Sequence, residues 1–128
     1  MTKILVTGLA ALDLIFRLDH LPKLGEKYLA NEGFLSGGGN AGNAAVATAR
    51  LGGQVSIFAA VGRDDVGALI LKGFQHEGID TRLVIQLEDH QSSFSSIVID
   101  KSGERQIINC RNTLGPENLD VLQKLPIQ

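Results

Sequence analysis

The run Ser36-Gly37-Gly38-Gly39-Asn40-Ala41-Gly42-Asn43 is the part of the chain best equipped to bind something. Its glycines let backbone come into contact with a ligand, because no Cβ intervenes. Asn40 and Asn43 each offer a carbonyl acceptor and an amide donor. The run opens an alanine-rich helix, Ala41 to Leu51, closed by Gly52-Gly53. The start of a helix carries N–H groups without intrahelical partners and a partial positive charge. That combination suits a small polar ligand.

The flanking elements must hold this turn in place. Lys3 to Gly8 reads as a strand buried on both faces, since Ile4-Leu5-Val6 is an unbroken β-forming run. Gln54 to Val61 reads as its partner, and the stretch from Asp13 to Ser36 as irregular and more polar. The helix Ala41–Leu51 is apolar on nearly every side, which predicts burial against a sheet. A second helix is expected from Asp65 to about Glu77, with Val66, Leu69, Ile70 and Phe74 at helical spacing and Gly78 as its stop. Asp64 and Asp65 suit its cap and its dipole. Arg82–Leu87 reads as a short strand. Ser93–Asp100 and Glu104–Cys110 flank Lys101-Ser102-Gly103 as a hairpin, and Pro116 opens a helix toward Lys124. Strands alternating with helices give an α/β class with parallel strands.

Composition narrows the function. The 128 residues are 44% hydrophobic and 20% charged, the balance of one globular domain. A net charge of −2 leaves no basic footprint for nucleic acid or an anionic membrane surface. No apolar run is long enough to span a bilayer, and Met1-Thr2-Lys3-Ile4 enters a strand pattern without signal-peptide layout, so a cytoplasmic location is expected. Cys110 is alone, which excludes an intramolecular disulfide, and His20, His76 and His90 follow no metal-ligand spacing.

Gly37-x-Gly39-x-x-Gly42 matches the dinucleotide fingerprint G-x-G-x-x-G, and Asp64 and Asp65 lie near the expected position of a ribose-binding acid. That leaves a Rossmann-type module for NAD or another nucleotide as one reading. Against it, the fingerprint belongs immediately after the first buried strand, and here the whole stretch from Leu9 to Ser36 intervenes.

Several motifs occur together in order: Gly8-Leu9-Ala10-Ala11-Leu12-Asp13 after the first strand, then Leu21-Pro22-x-x-Gly25-Glu26. Next come Gly38-Gly39-x-x-x-Asn43 before Ala49-Arg50-Leu51-Gly52, then Val61-Gly62-x-Asp64-x-x-Gly67 and Gly103-Glu104-Arg105. With these the chain resembles the ribokinase, or PfkB, family of carbohydrate kinases over essentially its whole length. Gly38 to Asn43 is similar to ketohexokinase-like members, and Ser92 to Asn109 to the sulfofructose-kinase-like branch.

The resemblance implies a ribokinase-like three-layer α/β/α sandwich with a small β-lid, and transfer of the ATP γ-phosphate to a sugar hydroxyl with Mg²⁺. It implies that Asp13, at the end of the first strand, accepts hydrogen bonds from sugar hydroxyls. Gly38 and Gly39 would lie against the sugar, and Asn40 and Asn43 would bind its hydroxyls. Segments from Leu14 to Leu35 and the hairpin would form the lid, a lid that pairs two subunits in a homodimer. Arg105 resembles an arginine that contacts nucleotide phosphates. Each has a plainer alternative: Asp13 serving a turn, Asn43 an exposed first-turn residue, Arg105 a solvated surface cation. The family's Gly-Ala-Gly-Asp segment, which carries the catalytic base, and its Asn-x-x-Glu segment do not occur in these 128 residues. The expectation is therefore the N-terminal, sugar-recognising part of a kinase, inactive alone, with no catalytic residue and no metal ligand of its own. A non-catalytic sugar-binding protein is the remaining alternative.

Overall fold

The computed structural model describes residues 3–111. In chain order the elements are β1 (Lys3–Thr7), β2 (Ala11–Arg17), β3 (Glu32–Gly38), α1 (Asn40–Arg50), β4 (Gln54–Phe58), β5 (Ala60–Gly62), α2 (Asp65–His76), β6 (Ile85–Leu87), β7 (Phe94–Ile99) and β8 (Arg105–Cys110). The helix expected from Pro116 lies outside the described residues.

Two sheet regions divide the work. The first is parallel: β1 pairs with β4, and β5 with β6. The expected single strand from Gln54 to Val61 is two, because the chain changes partner at Ala59, whose carbonyl accepts the Ile85 N–H at 2.9 Å. Asp80 bridges Ser56 in parallel on the edge of β4 away from β1, so β4 and β5 form the central line. Helix α1 packs across β1 and β4, and α2 against β5. Ala45, Ile57, Ala59 and Val61 are fully enclosed, with Ile70 and Phe74 of α2 packed on them.

Two expectations need correction here. β1 is not buried on both faces: Ile4 and Leu5 are 39% and 37% exposed. Among the described residues nothing pairs with its second edge. Helix α1 is buried through Ala41, Gly42 and Ala45, while Ala44 and Ala47 face solvent, so its apolar circumference does not report burial all round.

The second region is a mixed four-stranded sheet in the order β3-β2-β7-β8, antiparallel except for the parallel pair β2–β7. The stretch expected to be irregular thus holds two seven-residue strands. Asp13 is the third residue of β2, not the end of β1.

The helix ends follow their sequence signals. Asp64 caps α2 by accepting the Gly67 N–H at 2.7 Å, Asp65 sits in the first turn, and Gly78 leaves the helix at φ +72°. The α1 and α2 C-termini are tied by Arg50, whose Nε donates to Glu77 Oε2 at 2.9 Å and whose second terminal nitrogen donates to Oε1 at 2.6 Å. The strand expected over Arg82–Leu87 shortens to β6 because Asp80 and Arg82 make a turn first. The Asp80 carboxylate accepts from the Arg82 N–H at 3.0 Å and from its guanidinium at 2.7 Å.

The Arg82 guanidinium, helped by the Arg82 N–H, holds the Asp80 carboxyl down at about 2. A carboxyl depressed in the folded state stabilises the fold above its ordinary value of 3.8 and loses that contribution as pH falls toward 2. Urea titrations of wild type and Asp80→Asn between pH 5 and 2 should therefore show a shallower acid-side loss of stability in the variant.

Candidate functional site

Register places the pocket-forming side chains. Ser36 pairs with Asp13, Asp13 with Ser95, and Ser95 with Asn109. Directly paired residues share a sheet face, so these four form one polar row across all four strands. The next row on that face, Phe34, Ile15, Ile97 and Ile107, is apolar. The third, Glu32, Arg17, Ile99 and Arg105, is mostly charged, with Arg17 and Glu32 at 3.1 Å.

Above Asp13, Ser95 and Asn109 of the first row and Ile97 and Ile107 of the second lies a cavity of about 210 Å³. Asp13, Ser95, Ile97, Ile107 and Asn109 line it from the sheet, Leu9 from the β1–β2 connection, Gly39 and Asn40 from the start of α1, and Cys110 and Arg111 from the end of β8. Ser95 Oγ donates to Asn109 Oδ1 at 2.8 Å. That bond uses the amide oxygen and leaves the Asn109 NH₂ as a donor.

Gly38 and Gly39 are required for different reasons. A Cβ on Gly38 would collide with the Asp13 carboxylate, 2.9 Å from Oδ1 and closer still to Oδ2. A Cβ on Gly39 would collide with the backbone carbonyl of Leu9, and its φ of 82° with ψ of 149° belongs to a region in practice reserved for glycine. The tight approach at Gly39 has a purpose: the Leu9 carbonyl accepts the Ala41 N–H at 3.1 Å and the Gly42 N–H at 3.3 Å. The Asn43 N–H donates to the Gly39 carbonyl at 2.9 Å. Those first-turn donors are taken by the chain itself and do not form a phosphate cradle. The glycine run also follows β3, an antiparallel strand of the mixed sheet, and not a core parallel strand. The dinucleotide reading has neither its strand nor its free donors.

The structure brings Asp13, Gly38, Gly39 and Asn40 together and separates the other two candidates. Asn43, one turn along α1 from Asn40, lines a different and larger cleft of about 670 Å³ between β2, β3, α1 and α2, walled by Leu12, Leu35, Val46, Leu69 and Phe74. Arg105 shares the sheet face of Asp13 but lies two rows away, about 14 Å along the strand at 3.4 Å per residue. Ser95, Asn109 and Arg111 line the cavity and were not singled out from sequence. The signal was the period-two spacing of Ser95 and Asn109 within a hairpin already recognised, which becomes informative only once the β2–β7 register is known. Among the described residues no group of three or more His, Cys, Asp or Glu side chains is arranged to hold a metal ion. No helix there is long and apolar enough to cross a membrane.

The pattern of pfkB family carbohydrate kinases matches residues 1–125. The chain belongs to that family. It is 34% identical over 108 residues to ribokinase of Bacillus subtilis, covering 84% of this chain and 36% of that protein. To ribokinase of Mus musculus it is 30% identical over 105 residues, 82% of this chain and 32% of the relative. The crystal structure of ribokinase from Cryptococcus neoformans var. grubii in complex with ADP superposes with a TM-score of 0.72 at 28% identity, over 86% of this chain and 35% of that one. The chain thus spans about a third of the length of these relatives. The fold is the ribokinase-like α/β fold, in which the mixed sheet β3-β2-β7-β8 stands as the lid.

The two glycines should respond differently to alanine. Gly39→Ala should destabilise the protein by about 1–3 kcal/mol or more, since both its dihedrals and the Leu9 backbone oppose a side chain. Gly38→Ala faces only the end of a rotatable carboxylate, so thermal unfolding should place it within a few degrees of wild type.

Proposed function

We propose that the protein, at the length of its relatives, transfers the γ-phosphate of ATP to a sugar hydroxyl, and that this chain supplies the pocket recognising the sugar. The observation that carries the reading is the Asp13 carboxylate in a small polar cavity, packed against Gly38, with bare backbone at Gly39 on one side and Asn109 on the other. A carboxylate accepts from two adjacent hydroxyls, a pattern that sugars present and most metabolites do not. Asn40 and the free NH₂ of Asn109 complement it as donors to sugar oxygens. Ile97 and Ile107 offer an apolar surface to the C–H face of the ring. Asn43 and Arg105 do not line this cavity.

ATP is the phosphate donor in this reading, as the ADP complex of the Cryptococcus relative supports. Phosphoryl transfer also needs Mg²⁺ and a base that deprotonates the acceptor hydroxyl, and in this reading the base lies in the Gly-Ala-Gly-Asp segment that these 128 residues lack. What this chain's residues do is bind and orient: they fix which hydroxyl points out of the cavity toward the donor. The lid's opposite face carries Leu35, Leu14, Ser96 and Ile108 in one row, with Leu35, Leu14 and Ile108 52%, 39% and 68% exposed, which supports pairing of two lids in a homodimer.

The test is a calorimetric titration with a panel of pentoses, ketohexoses and their anionic derivatives, alongside ATP-dependent phosphorylation by the protein at full length. Asp13→Asn should weaken sugar binding at least about tenfold, as expected for hydrogen bonds to a charged acceptor. Gly38→Ala should do the same while unfolding normally, because it displaces that carboxylate. Sugar affinity unchanged by both substitutions would overturn the assignment. The 128-residue chain alone should release no ADP from ATP in the presence of sugar.

A further inference from the structure

The crossing from the parallel sheet to the lid at residues 88–93 is tied down more tightly than a connecting loop requires. Ser92 is fully buried. Its hydroxyl donates to Asp64 Oδ1 at 2.6 Å, its N–H donates to Asp64 Oδ2 at 2.8 Å, and its Oγ accepts the Gly62 N–H at 2.9 Å. Asp64 also accepts the Gly67 N–H as the cap of α2. Burial opposes the charge on Asp64, yet the bonds from Ser92 and Gly67 outweigh it and hold the carboxyl below its ordinary value. Gly62 and Gly67 have no room for a Cβ: the first would strike the His90 carbonyl, the second the Gly62 carbonyl, with Ser92 Oγ at 2.8 Å. The end of β5, the start of α2 and the loop before β7 are therefore knotted together.

Capping alone does not account for this. A cap needs one side-chain oxygen on one helix N–H, which Ser, Thr, Asn or Asp provides equally. Here two of the three bonds to the Asp64 side chain come from the loop. Among the described residues three crossings join the parallel region to the lid: residues 8–11, residues 38–40 and residues 88–93. The first two are short. The third is longer and contains Asp89 at φ +54°, so it would place β7 poorly without the tie.

We propose that Asp64 and Ser92 are positioning residues for the pocket, fixing where β7 leaves the core and so holding Ser95 and its partner Asn109 against Asp13. Transmission is direct. The Ser93 carbonyl accepts the Leu12 N–H at 3.0 Å, next to Asp13, and Ser95 follows two residues later in register with Asp13. Its consequence for the sugar rests on the pocket reading above; its consequence for the lid does not.

Three variants separate this role from capping. Ser92→Ala removes the loop's hydroxyl. Asp64→Ser keeps a capping oxygen but is too short to reach Ser92. Asp64→Asn keeps Oδ1 and replaces Oδ2. Amide hydrogen exchange on the purified chain should show about tenfold faster exchange over residues 11–17 and 92–99 in Ser92→Ala and Asp64→Ser. Residues 68–76 of α2 should stay protected in Asp64→Ser. Acceleration confined to residues 64–72, or absent from the lid strands, would overturn the proposal.

In the full-length protein the sugar KM should rise about tenfold in Ser92→Ala and Asp64→Ser, with kcat at saturating sugar and the ATP KM within about twofold, and Asp64→Asn in between. Equal losses in kcat and both KM values that track Tm would mark a structural role only and overturn it. If wild type takes no sugar at all, the pocket reading fails, and the exchange pattern still decides whether the tie positions the lid.

Discussion

The cavity depends on one pairing: β2 against β7, the parallel contact in the lid sheet. Parallel neighbours cannot be joined by a tight turn and require a long crossover. Here the crossover is residues 18–93, which contain β3, both helices and the described parallel core except β1. Asp13 and Ser95 can meet only after that core has formed, because the loop-closure entropy between them has to be offset by contacts elsewhere. The cavity lining is in this sense a consequence of the α/β core, although hardly any core residue touches it.

This dependence explains the division among the glycines. Gly39 serves the fold: it lets the Leu9 carbonyl reach the first N–H groups of α1, and so joins the end of the β1 segment to the helix. Gly38 serves the carboxylate, whose volume occupies the space a Cβ would need. Adjacent residues of identical type thus answer to different constraints, one on backbone dihedrals and one on side-chain packing. Of the first-turn N–H groups, which sequence reasoning reserved for a ligand, those of Ala41 and Gly42 are spent on Leu9. What faces the cavity is side-chain chemistry together with the bare backbone of Gly39.

Legibility in the sequence followed the same physics. Elements whose burial is local and periodic, such as α2 with Asp64, Ile70, Phe74 and Gly78, could be read directly, since a cap, an apolar stripe and a glycine stop are all nearest-neighbour signals. β2 and β3 could not. Their pattern, Ala-Leu-Asp-Leu-Ile-Phe-Arg and Glu-Gly-Phe-Leu-Ser-Gly-Gly, puts a carboxylate and glycines into strands whose two faces are both partly exposed, and no clean alternation results. The resemblance to a kinase family supplied the lid where periodicity did not. Ser95 and Asn109 were hidden for a further reason: a polar residue on a hairpin reads as solvent-facing until another strand, distant in sequence, is placed beside it.

The lid face is graded, and the grading limits what can bind. A polar row nearest α1 is followed by an apolar row and then a charged one. A ligand satisfying Asp13 and Asn109 must present hydroxyls at one edge and carbon at the other, because Ile97 and Ile107 offer no partner to a buried polar group and leaving one unpaired costs about 1–3 kcal/mol. Water alone can occupy the first row but not the second on those terms. A ring that is polar at its edge and apolar on its face meets both conditions. Arg17 and Glu32 neutralise each other at the far row, so Arg105 sets the sign of its charge, two rows away from Asp13. The selectivity of the pocket therefore lies in the order of its rows as much as in any single residue, and that order follows from strand register.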